Sequence, residues 1–150
     1  MARAPFQVIV IPYRHDSDGR LQYLVFKRSD SNAWQWIAGG GEDDETPEQT
    51  ARREVFEEAG IRSDAALMAL DSVTSIPAAH FSDHYLWGAE TYVIPEYSFG
   101  IKVDNNVIHL SAEHVESAWL DYETALRRLK WDSNKTALWE LSRRLAVKNR

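Results

Sequence analysis

The segment from Thr46 to Gly60 is the part of the sequence whose structure is most tightly constrained. Thr46 and Gln49 form the pattern of a capping box, in which each side chain bonds the other residue's backbone N–H. Pro47 takes the first helical position, where its missing N–H costs nothing, and Gly60 suits the left-handed conformation that ends many helices. The sequence therefore predicts a helix from Pro47 to Ala59.

Negative charge is concentrated in this helix and just before it. Between Glu42 and Glu58 lie eight acidic and two basic residues, a local sum of −6, which equals the net charge of the whole 150-residue chain. The rest of the sequence is neutral, and nucleic-acid binding depends on basic patches, so this distribution argues against a nucleic-acid partner. The acidic segment is either a solvated helix face or a surface that cations neutralise.

Three glutamates of the predicted helix are spaced to share one patch. Glu54, Glu57 and Glu58 stand at positions i, i+3 and i+4. Like charges at this spacing destabilise an isolated helix by about 0.2–0.5 kcal/mol per pair. A bound divalent cation reverses the sign of that effect, and oxygen-only ligands suit Mg²⁺ or Mn²⁺. From these three residues alone, an exposed acidic face remains the alternative.

Apolar runs rich in β-branched and aromatic residues predict strands on both sides of this helix. The main runs are Phe6–Tyr13, Leu21–Arg28, Trp34–Ala38, Leu67–Ser75 and Tyr85–Ile94, with short strands near Val107–Leu110 and Ser117–Leu120. The Asp18-Gly19 pair predicts a hairpin between the first two strands. Two more helices are predicted at Tyr122–Lys130 and Asn134–Val147. We expect one α/β domain over residues 1–150.

Composition excludes several classes of protein. The chain contains no cysteine, which removes disulfides, thiolate metal sites and a cysteine nucleophile. No apolar run approaches the roughly 20 residues of a membrane span, and the apolar stretch near the start is too short for a signal peptide. We therefore expect a soluble cytoplasmic protein with no membrane partner. The oligomeric state stays open.

The acidic helix lies inside a longer motif that resembles the signature of the Nudix hydrolase family. The pattern Gly39-x5-Glu45-x7-Arg53-Glu54-Val55-x-Glu57-Glu58-x-Gly60-Ile61 matches every fixed position of the Nudix box over 23 residues. Seven fixed residue types, each about 6% common, agree by chance on the order of 10⁻⁹ times per starting position. The resemblance implies an α/β Nudix fold, a mixed β-sheet between helices, with the box forming a loop, a helix and a second loop.

The resemblance also implies a chemistry, the hydrolysis of a nucleoside diphosphate linked to another moiety, assisted by Mg²⁺ or Mn²⁺. By motif position, the candidate metal ligands are the side chains of Glu54, Glu57 and Glu58 and the carbonyl of Gly39. The candidate catalytic residues are Arg53 and the same three glutamates. Arg53 is expected to orient a carboxylate, with Glu45 as a candidate partner. Glu54 is our first choice for the base that removes a proton from water.

Shorter matches outside the box are similar to one Nudix subgroup, the dihydroneopterin triphosphate pyrophosphohydrolases, which also accept dATP. These matches are Trp34-Gln35, Glu113-His114, Trp119-Leu120-Asp121 and Trp131-x-Ser133-Asn134. The Gly40-Gly41 pair departs from the less glycine-rich loop of that subgroup. In this resemblance Glu113 is a metal ligand or base brought in from outside the box; a capping or solvated glutamate is the alternative.

Candidate substrate-binding residues come from a strand end and from aromatic positions. Lys27 and Arg28 end the second predicted strand, near where Nudix enzymes bind substrate, and Arg28 can grip phosphate oxygens bidentately. Ordinary solvated charges are the alternative there. Trp36, Trp87 and Tyr92 are candidates to stack on a flat heterocycle. His80 and His84 are predicted to lie in a loop, exposed to solvent or, as the alternative, in contact with substrate. Trp119, Trp131 and Trp139 are assigned to packing.

Together these features predict a Mg²⁺-dependent Nudix pyrophosphohydrolase of a small triphosphate, such as dihydroneopterin triphosphate or dATP. One alternative keeps the same box but takes another substrate, namely 8-oxo-dGTP, an ADP-sugar or a dinucleoside polyphosphate. A second alternative is a Nudix module that binds a nucleotide without cleaving it. The intact box disfavours that second alternative, because such modules usually lose box residues.

Overall fold

The computed structural model describes residues 2–62, 64–104 and 108–148. Within these ranges the chain forms seven β-strands in one mixed sheet and three α-helices. The strands are β1 (Arg3–His15), β2 (Leu21–Arg28), β3 (Trp34–Gln35), β4 (Ile37–Glu42), β5 (Leu67–Pro77), β6 (Val93–Lys102) and β7 (His114–Leu120). The helices are α1 (Pro47–Ala59), α2 (Tyr122–Arg128) and α3 (Asp132–Lys148).

Strand β1 organises the sheet because it pairs with three other strands. It runs parallel to β6 over residues 7–13, antiparallel to β4 over residues 3–10, and antiparallel to β2 near its carboxyl end. Strand β5 pairs with β6, whereas β3 and β7 both pair with β2. The predicted hairpin between β1 and β2 is confirmed, and Gly19 in its turn has φ 78°.

Two apolar cores lie on opposite faces of the sheet. Ile9 belongs to one core together with Leu138 of α3, while its neighbours Val8 and Val10 belong to the other core together with Val55 of α1. Successive residues of a strand point to opposite faces, so β1 contributes to both cores. Helices therefore cover both faces, which confirms the α/β architecture predicted from the sequence.

Helix α1 begins and ends where the sequence predicts. Thr46 Oγ1 accepts a hydrogen bond from the Gln49 N–H at 3.2 Å, and Gln49 Oε1 accepts one from the Thr46 N–H at 2.9 Å. Gly60 has φ 70°, and its N–H donates to the Phe56 carbonyl at 2.9 Å. Because α1 packs on β1 and β4, its carboxylates are held beside the glycine-rich strand β4.

One predicted strand, Tyr85–Ile94, is wrong. Residues 78–80 and 84–87 form short 3₁₀ segments, and the strand β6 begins only at Val93. The side chains of Tyr85 and Leu86 are exposed. This aromatic run therefore does not pack on a pleated surface, which is what strand propensity measures.

The other predicted elements, apart from the short strand near Val107–Leu110, are confirmed with altered ends. The run Trp34–Ala38 divides into β3 and β4, and the second of these continues to Glu42. Of the short strand predicted near Val107–Leu110, Val107 lies outside the described residues and residues 108–110 are not a strand. In the part of the chain that the structure describes, no helix is long and apolar enough to cross a membrane.

Candidate metal centre and substrate cavity

Arg53 lies at the centre of the acidic cluster on α1 and the loop before it. Its Nε and Nη2 donate to the two carboxylate oxygens of Glu45 at 2.8 and 2.9 Å. Its Nη1 donates to Glu54 at 2.9 Å and to Glu57 at 3.2 Å. Nη2 also donates to the carbonyl of Gly40 at 2.9 Å. One guanidinium therefore ties the glycine-rich strand, the loop and two helix carboxylates together.

Glu54 is buried between α1 and β4, with 8% of its surface exposed. Burial raises the pKa of Glu54 to about 7, an effect that Arg53 opposes and that the charges of Glu57 and Glu58 reinforce. A Cβ atom at Gly39 would overlap the Glu54 carboxyl group. The glycine at the start of the motif therefore leaves the space that this carboxylate occupies.

Glu58 is held by residues that lie outside the helix. Ser111 Oγ donates to Glu58 Oε2 at 2.8 Å, and Nδ1 of the buried His114 lies 3.3 Å from the same oxygen. That contact is not aligned as a hydrogen bond, and neither ring nitrogen of His114 has a hydrogen-bond partner within the described ranges. Burial opposes ionisation of Glu58, but His114 and Ser111 outweigh it and hold the pKa of Glu58 below its ordinary value.

Glu113 lies beside Glu58, although the two residues are far apart in the sequence. Burial raises the pKa of Glu113, and the nearby Glu58 carboxylate raises it further. The carboxylate that the sequence comparison places outside the box is therefore adjacent to the box glutamates. This arrangement adds a fourth acidic side chain to the set formed by Glu54, Glu57 and Glu58.

The donor set of this cluster fits a divalent cation, but the side chains are not preorganised around one. Among residues 2–62, 64–104 and 108–148, no group of three or more His, Asp or Glu side chains is arranged to hold a metal ion. Glu54 and Glu57 instead contact Arg53, and Glu58 contacts Ser111. The glutamates offer carboxylate oxygens, the ligand type that Mg²⁺ and Mn²⁺ prefer. Burial raises the pKa of Glu54, and the charges of Glu57 and Glu58 add to that effect.

A cavity of about 990 Å³ opens on the sheet face that α3 covers. Ile9 and Glu96 contribute to its floor, Trp131 and Asn134 lie on the side of α3, and Phe81 lies on the side of the 3₁₀ segment. Trp131 is 49% exposed. The cavity thus combines apolar walls with polar groups, which is the usual character of a small-molecule site.

Arg28 connects this cavity with the acidic cluster. It lines the cavity, and its Nε and Nη2 donate to the two carboxylate oxygens of Asp30, both at 2.8 Å. Hydrogen bonding to Asp30 raises the pKa of Arg28, and the charges of Glu113 and Glu58 raise it further. The guanidinium therefore borders the cavity and also interacts electrostatically with the acidic cluster.

Arg3 is a residue of this region that the sequence analysis missed. Its side chain crosses Gly40, because a Cβ atom there would overlap the guanidinium, and it lies 4.9 Å from the centre of the Phe81 ring. Burial lowers the pKa of Arg3, while the charges of Asp83 and Glu54 raise it. Its Nε is buried and has no hydrogen-bond partner among the described residues. Arg3 is therefore a further cation beside the acidic cluster.

Comparison with known proteins decides the family. The model of the NUDIX domain matches residues 5–139. The chain belongs to the Nudix family. A Listeria monocytogenes protein provisionally assigned as a NUDIX hydrolase has a crystal structure similar to this one, with TM-score 0.87, 44% identity and 97% of each chain covered.

Two further relatives of this Nudix protein are both named for the cleavage of dihydroneopterin triphosphate. The Escherichia coli dihydroneopterin triphosphate pyrophosphohydrolase superimposes with TM-score 0.72 and 26% identity, over 92% of this chain and 94% of that chain. The Haemophilus influenzae dihydroneopterin triphosphate diphosphatase is 27% identical over 135 residues, which are 87% of this chain and 83% of that protein. The predicted Nudix fold is confirmed, and the protein is a Nudix hydrolase, an enzyme class that acts on acid anhydrides.

The structure of this Nudix hydrolase corrects one predicted substrate contact and places three other candidates outside the cavity. Trp36 is completely buried, and its Nε1 donates to the Asn134 carbonyl at 2.9 Å, so it cannot stack on a substrate. Trp87 and Tyr92 do not line the cavity. Lys27 does not line it either, and its Nζ lies 3.9 Å from a carboxylate oxygen of Glu116 on β7.

The packing roles predicted for two tryptophans are also wrong. Trp131 lines the cavity, and Trp139 is 56% exposed. Trp119 does pack against a core, as predicted. His80 is exposed and borders the cavity.

Glu96 is a cavity residue that the sequence analysis missed, although a signal was present. An acidic residue inside an otherwise apolar strand indicates a carboxylate with a specific partner or role, because buried carboxylates are rare unless they are paired. The predicted strand ended at Ile94, so Glu96 fell outside it. The observed strand β6 continues to Lys102 and places Glu96 in its interior, 6% exposed.

Proposed function

We propose that this Nudix hydrolase cleaves a phosphoanhydride bond of a small heterocyclic triphosphate, with Mg²⁺ or Mn²⁺ as its cofactor. The observation that carries this proposal is the position of Arg28, which borders the cavity and is close to Glu58 and Glu113. A heterocycle in the cavity would have its phosphates directed towards the acidic cluster. The two relatives named for dihydroneopterin triphosphate favour a pterin substrate, with dATP as the next candidate.

The cation would be held by carboxylates of α1 and by neighbouring oxygens. The proposed ligands are the side chains of Glu54, Glu57, Glu58 and Glu113 and the carbonyl of Gly39. A bound divalent cation polarises phosphoryl oxygens and makes a water molecule more acidic. A cation held there would also offset the repulsion between the anionic substrate and the segment of net charge −6.

Glu54 is the proposed general base. The oxygen of a water molecule attacks phosphorus, its proton passes to Glu54, and the anhydride P–O bond breaks. Burial raises the pKa of Glu54 to about 7 without a cation, and a divalent cation beside the carboxylate would lower it again. Arg53 positions this carboxylate, since its Nη1 donates to Glu54 at 2.9 Å.

Two arginines are available for the phosphate groups. Arg28 presents a planar guanidinium that suits bidentate contact with phosphate, and it would exchange Asp30 for the substrate. Arg3 has a buried Nε without a hydrogen-bond partner within the described ranges. A phosphate oxygen that accepts a hydrogen bond there would remove the free-energy cost of this unpaired donor. At the other end of the substrate, the half-exposed ring of Trp131 offers a stacking surface for a flat heterocycle.

The test is a substrate panel assayed for release of phosphate and pyrophosphate with Mg²⁺ present. The panel contains dihydroneopterin triphosphate, dATP, 8-oxo-dGTP, ADP-ribose and a dinucleoside polyphosphate. We expect turnover of a triphosphate, with dihydroneopterin triphosphate or dATP preferred. Preference for one of the last three compounds would replace the proposed substrate class. Tight nucleotide binding without turnover at any metal concentration would identify a binding module instead.

A further inference from the structure

Glu96 is a buried carboxylate on the floor of the cavity, separate from the acidic cluster. It is 6% exposed and lines the cavity. Gln7 Nε2 donates to Glu96 Oε2 at 3.1 Å, and the nearby Ser133 side chain opposes the rise in the pKa of Glu96. An ionised carboxylate offers about four acceptor positions. These protein contacts therefore leave Glu96 with unused acceptor capacity at the cavity wall.

The neighbours of Glu96 hold it as an acceptor. Arg3 Nη2 donates to Gln7 Oε1 at 3.1 Å. Because Arg3 is only a donor, this bond directs the amide oxygen of Gln7 to Arg3 and its NH₂ group to Glu96. Gln7 therefore acts towards Glu96 only as a hydrogen-bond donor. A ligand that completes its coordination must also bring N–H or O–H groups.

The rest of the cavity favours a planar ligand. The ring of Trp131 lies on one side, and its Nε1 is 3.4 Å from Gln35 Oε1, which restrains its orientation. Phe81 adds an aromatic edge on another side. An aromatic wall and a buried carboxylate together suit a heterocycle that stacks with its face and donates hydrogen bonds with its edge.

We propose that Glu96 is a specificity-determining residue whose carboxylate accepts two hydrogen bonds from the ring N–H and the adjacent amino group of a 2-amino-4-oxo heterocycle, the edge that guanine and reduced pterins share. This inference rests on the proposed function, since it names the heterocycle of the triphosphate. Of the two candidate substrates this edge ranks the pterin above dATP, because the amino group of adenine is flanked by ring nitrogens that are acceptors. Burial raises the pKa of Glu96, and two such donors would favour its ionised form again.

The first experiment compares kcat/KM for dGTP, dITP and dATP with Mg²⁺. The base of dITP differs from that of dGTP only in lacking the 2-amino group. We expect dGTP to exceed dITP by about 10–100-fold, the range for a hydrogen bond to a charged group. In Glu96→Gln this ratio falls to near one, because an amide cannot accept both bonds. Equal rates with dGTP and dITP, or an unchanged ratio in the variant, overturn the inference.

The matched control is Glu123→Gln on α2, which removes the same charge from an exposed position outside the cavity. This variant should keep the dGTP to dITP ratio of the unmodified protein. Urea unfolding of both variants shows whether they are folded at the assay temperature. A uniform loss of rate with all three nucleotides in Glu96→Gln indicates a structural role and counts against the inference.

A second experiment separates this inference from the proposed function. Calorimetric titration with dGMP and dIMP measures recognition of the heterocycle without hydrolysis. A preference for dGMP that Glu96→Gln abolishes supports the inference even if no triphosphate is cleaved. Cleavage of triphosphates without that preference overturns the inference and leaves the proposed function standing. Absence of both turnover and binding overturns both, and comparing dihydroneopterin triphosphate with dGTP distinguishes a pterin from a guanine substrate.

Discussion

Arg53 binds both carboxylate oxygens of Glu45, from Nε at 2.8 Å and from Nη2 at 2.9 Å. Glu45 also accepts hydrogen bonds from the Glu42 N–H at 2.9 Å and from Thr50 Oγ1 at 3.0 Å. The loop before α1 is therefore joined to the middle of the helix by a two-pronged ion pair. With Nε and Nη2 held in this way, Nη1 remains directed at the Glu54 carboxylate.

Replacement of Glu45 by Gln should lower the free energy of unfolding at pH 7 by about 1–3 kcal/mol, because a charge-assisted, bidentate contact is lost. The Arg53 hydrogen bonds hold the pKa of Glu45 at about 2, below its ordinary value of 4.5. This stabilisation is therefore present above pH 4.5 and is lost as the pH falls towards 2. Urea unfolding at pH 7 and pH 3 measures whether the two proteins converge.

The control for this prediction is Glu48→Gln on the same helix. Glu48 pairs with Arg52 at 3.3 Å on an exposed surface, and such i, i+4 pairs contribute about 0.3–0.5 kcal/mol. Equal decreases in the free energy of unfolding in the Glu45 and Glu48 variants would show that the bidentate geometry adds no stability beyond that of an exposed ion pair.

Glu57→Gln should reduce kcat by about 10²–10⁴-fold while leaving stability within about 0.5 kcal/mol. The Glu57 side chain is 53% exposed, and its contact with Arg53 is an exposed i, i+4 pair, so the fold depends little on it. Its charge would be needed by the cation. Steady-state hydrolysis over a range of Mg²⁺ concentrations, with thermal unfolding alongside, measures both effects. A near-normal rate would remove Glu57 from the metal ligands.

Gly39→Ala should impair catalysis more than stability. The new Cβ atom would overlap the Glu54 carboxyl group, which is the end of a flexible side chain and can move away. We expect at least about a tenfold loss of kcat because the proposed base is displaced, and at most about 1 kcal/mol of destabilisation. Single-turnover hydrolysis and urea unfolding give the two numbers. Full activity would show that the Glu54 position is not important for the reaction.

Glu96→Gln should make the protein without ligand more stable at neutral pH. Burial raises the folded-state pKa of Glu96 above its ordinary value of 4.5, so protonation favours the folded state. Stability due to this group is greatest below pH 4.5 and falls as the pH rises through the folded-state pKa. The amide avoids that loss. Thermal unfolding at pH 4 and pH 8 should show an advantage of the variant only at pH 8, and an equal advantage at both pH values would contradict burial of the charge as its cause.

The acidic helix could be predicted from the sequence because its determinants are local. The capping box, the terminal Gly60 and the i, i+3, i+4 spacing of the glutamates depend only on residues within one segment. Its neighbours Gly39 and Glu45 belong to the same continuous motif. The resemblance to the family, the fold class that it implies and the candidate metal ligands Gly39, Glu54, Glu57 and Glu58 also follow from this motif, whereas Glu113 lies outside it.

The cavity could not be predicted, because strand pairing and burial decide which residues meet there. Gln7 and Glu96 are 89 positions apart and become neighbours only because β1 runs parallel to β6. The sequence made Trp36 a stacking candidate and assigned Trp131 to packing, but the sheet and α3 bury the first and leave the second at the cavity wall. The sequence by itself thus determined the family motif and its acidic helix, whereas only the tertiary structure decided which distant side chains border the cavity, because their contacts are non-local.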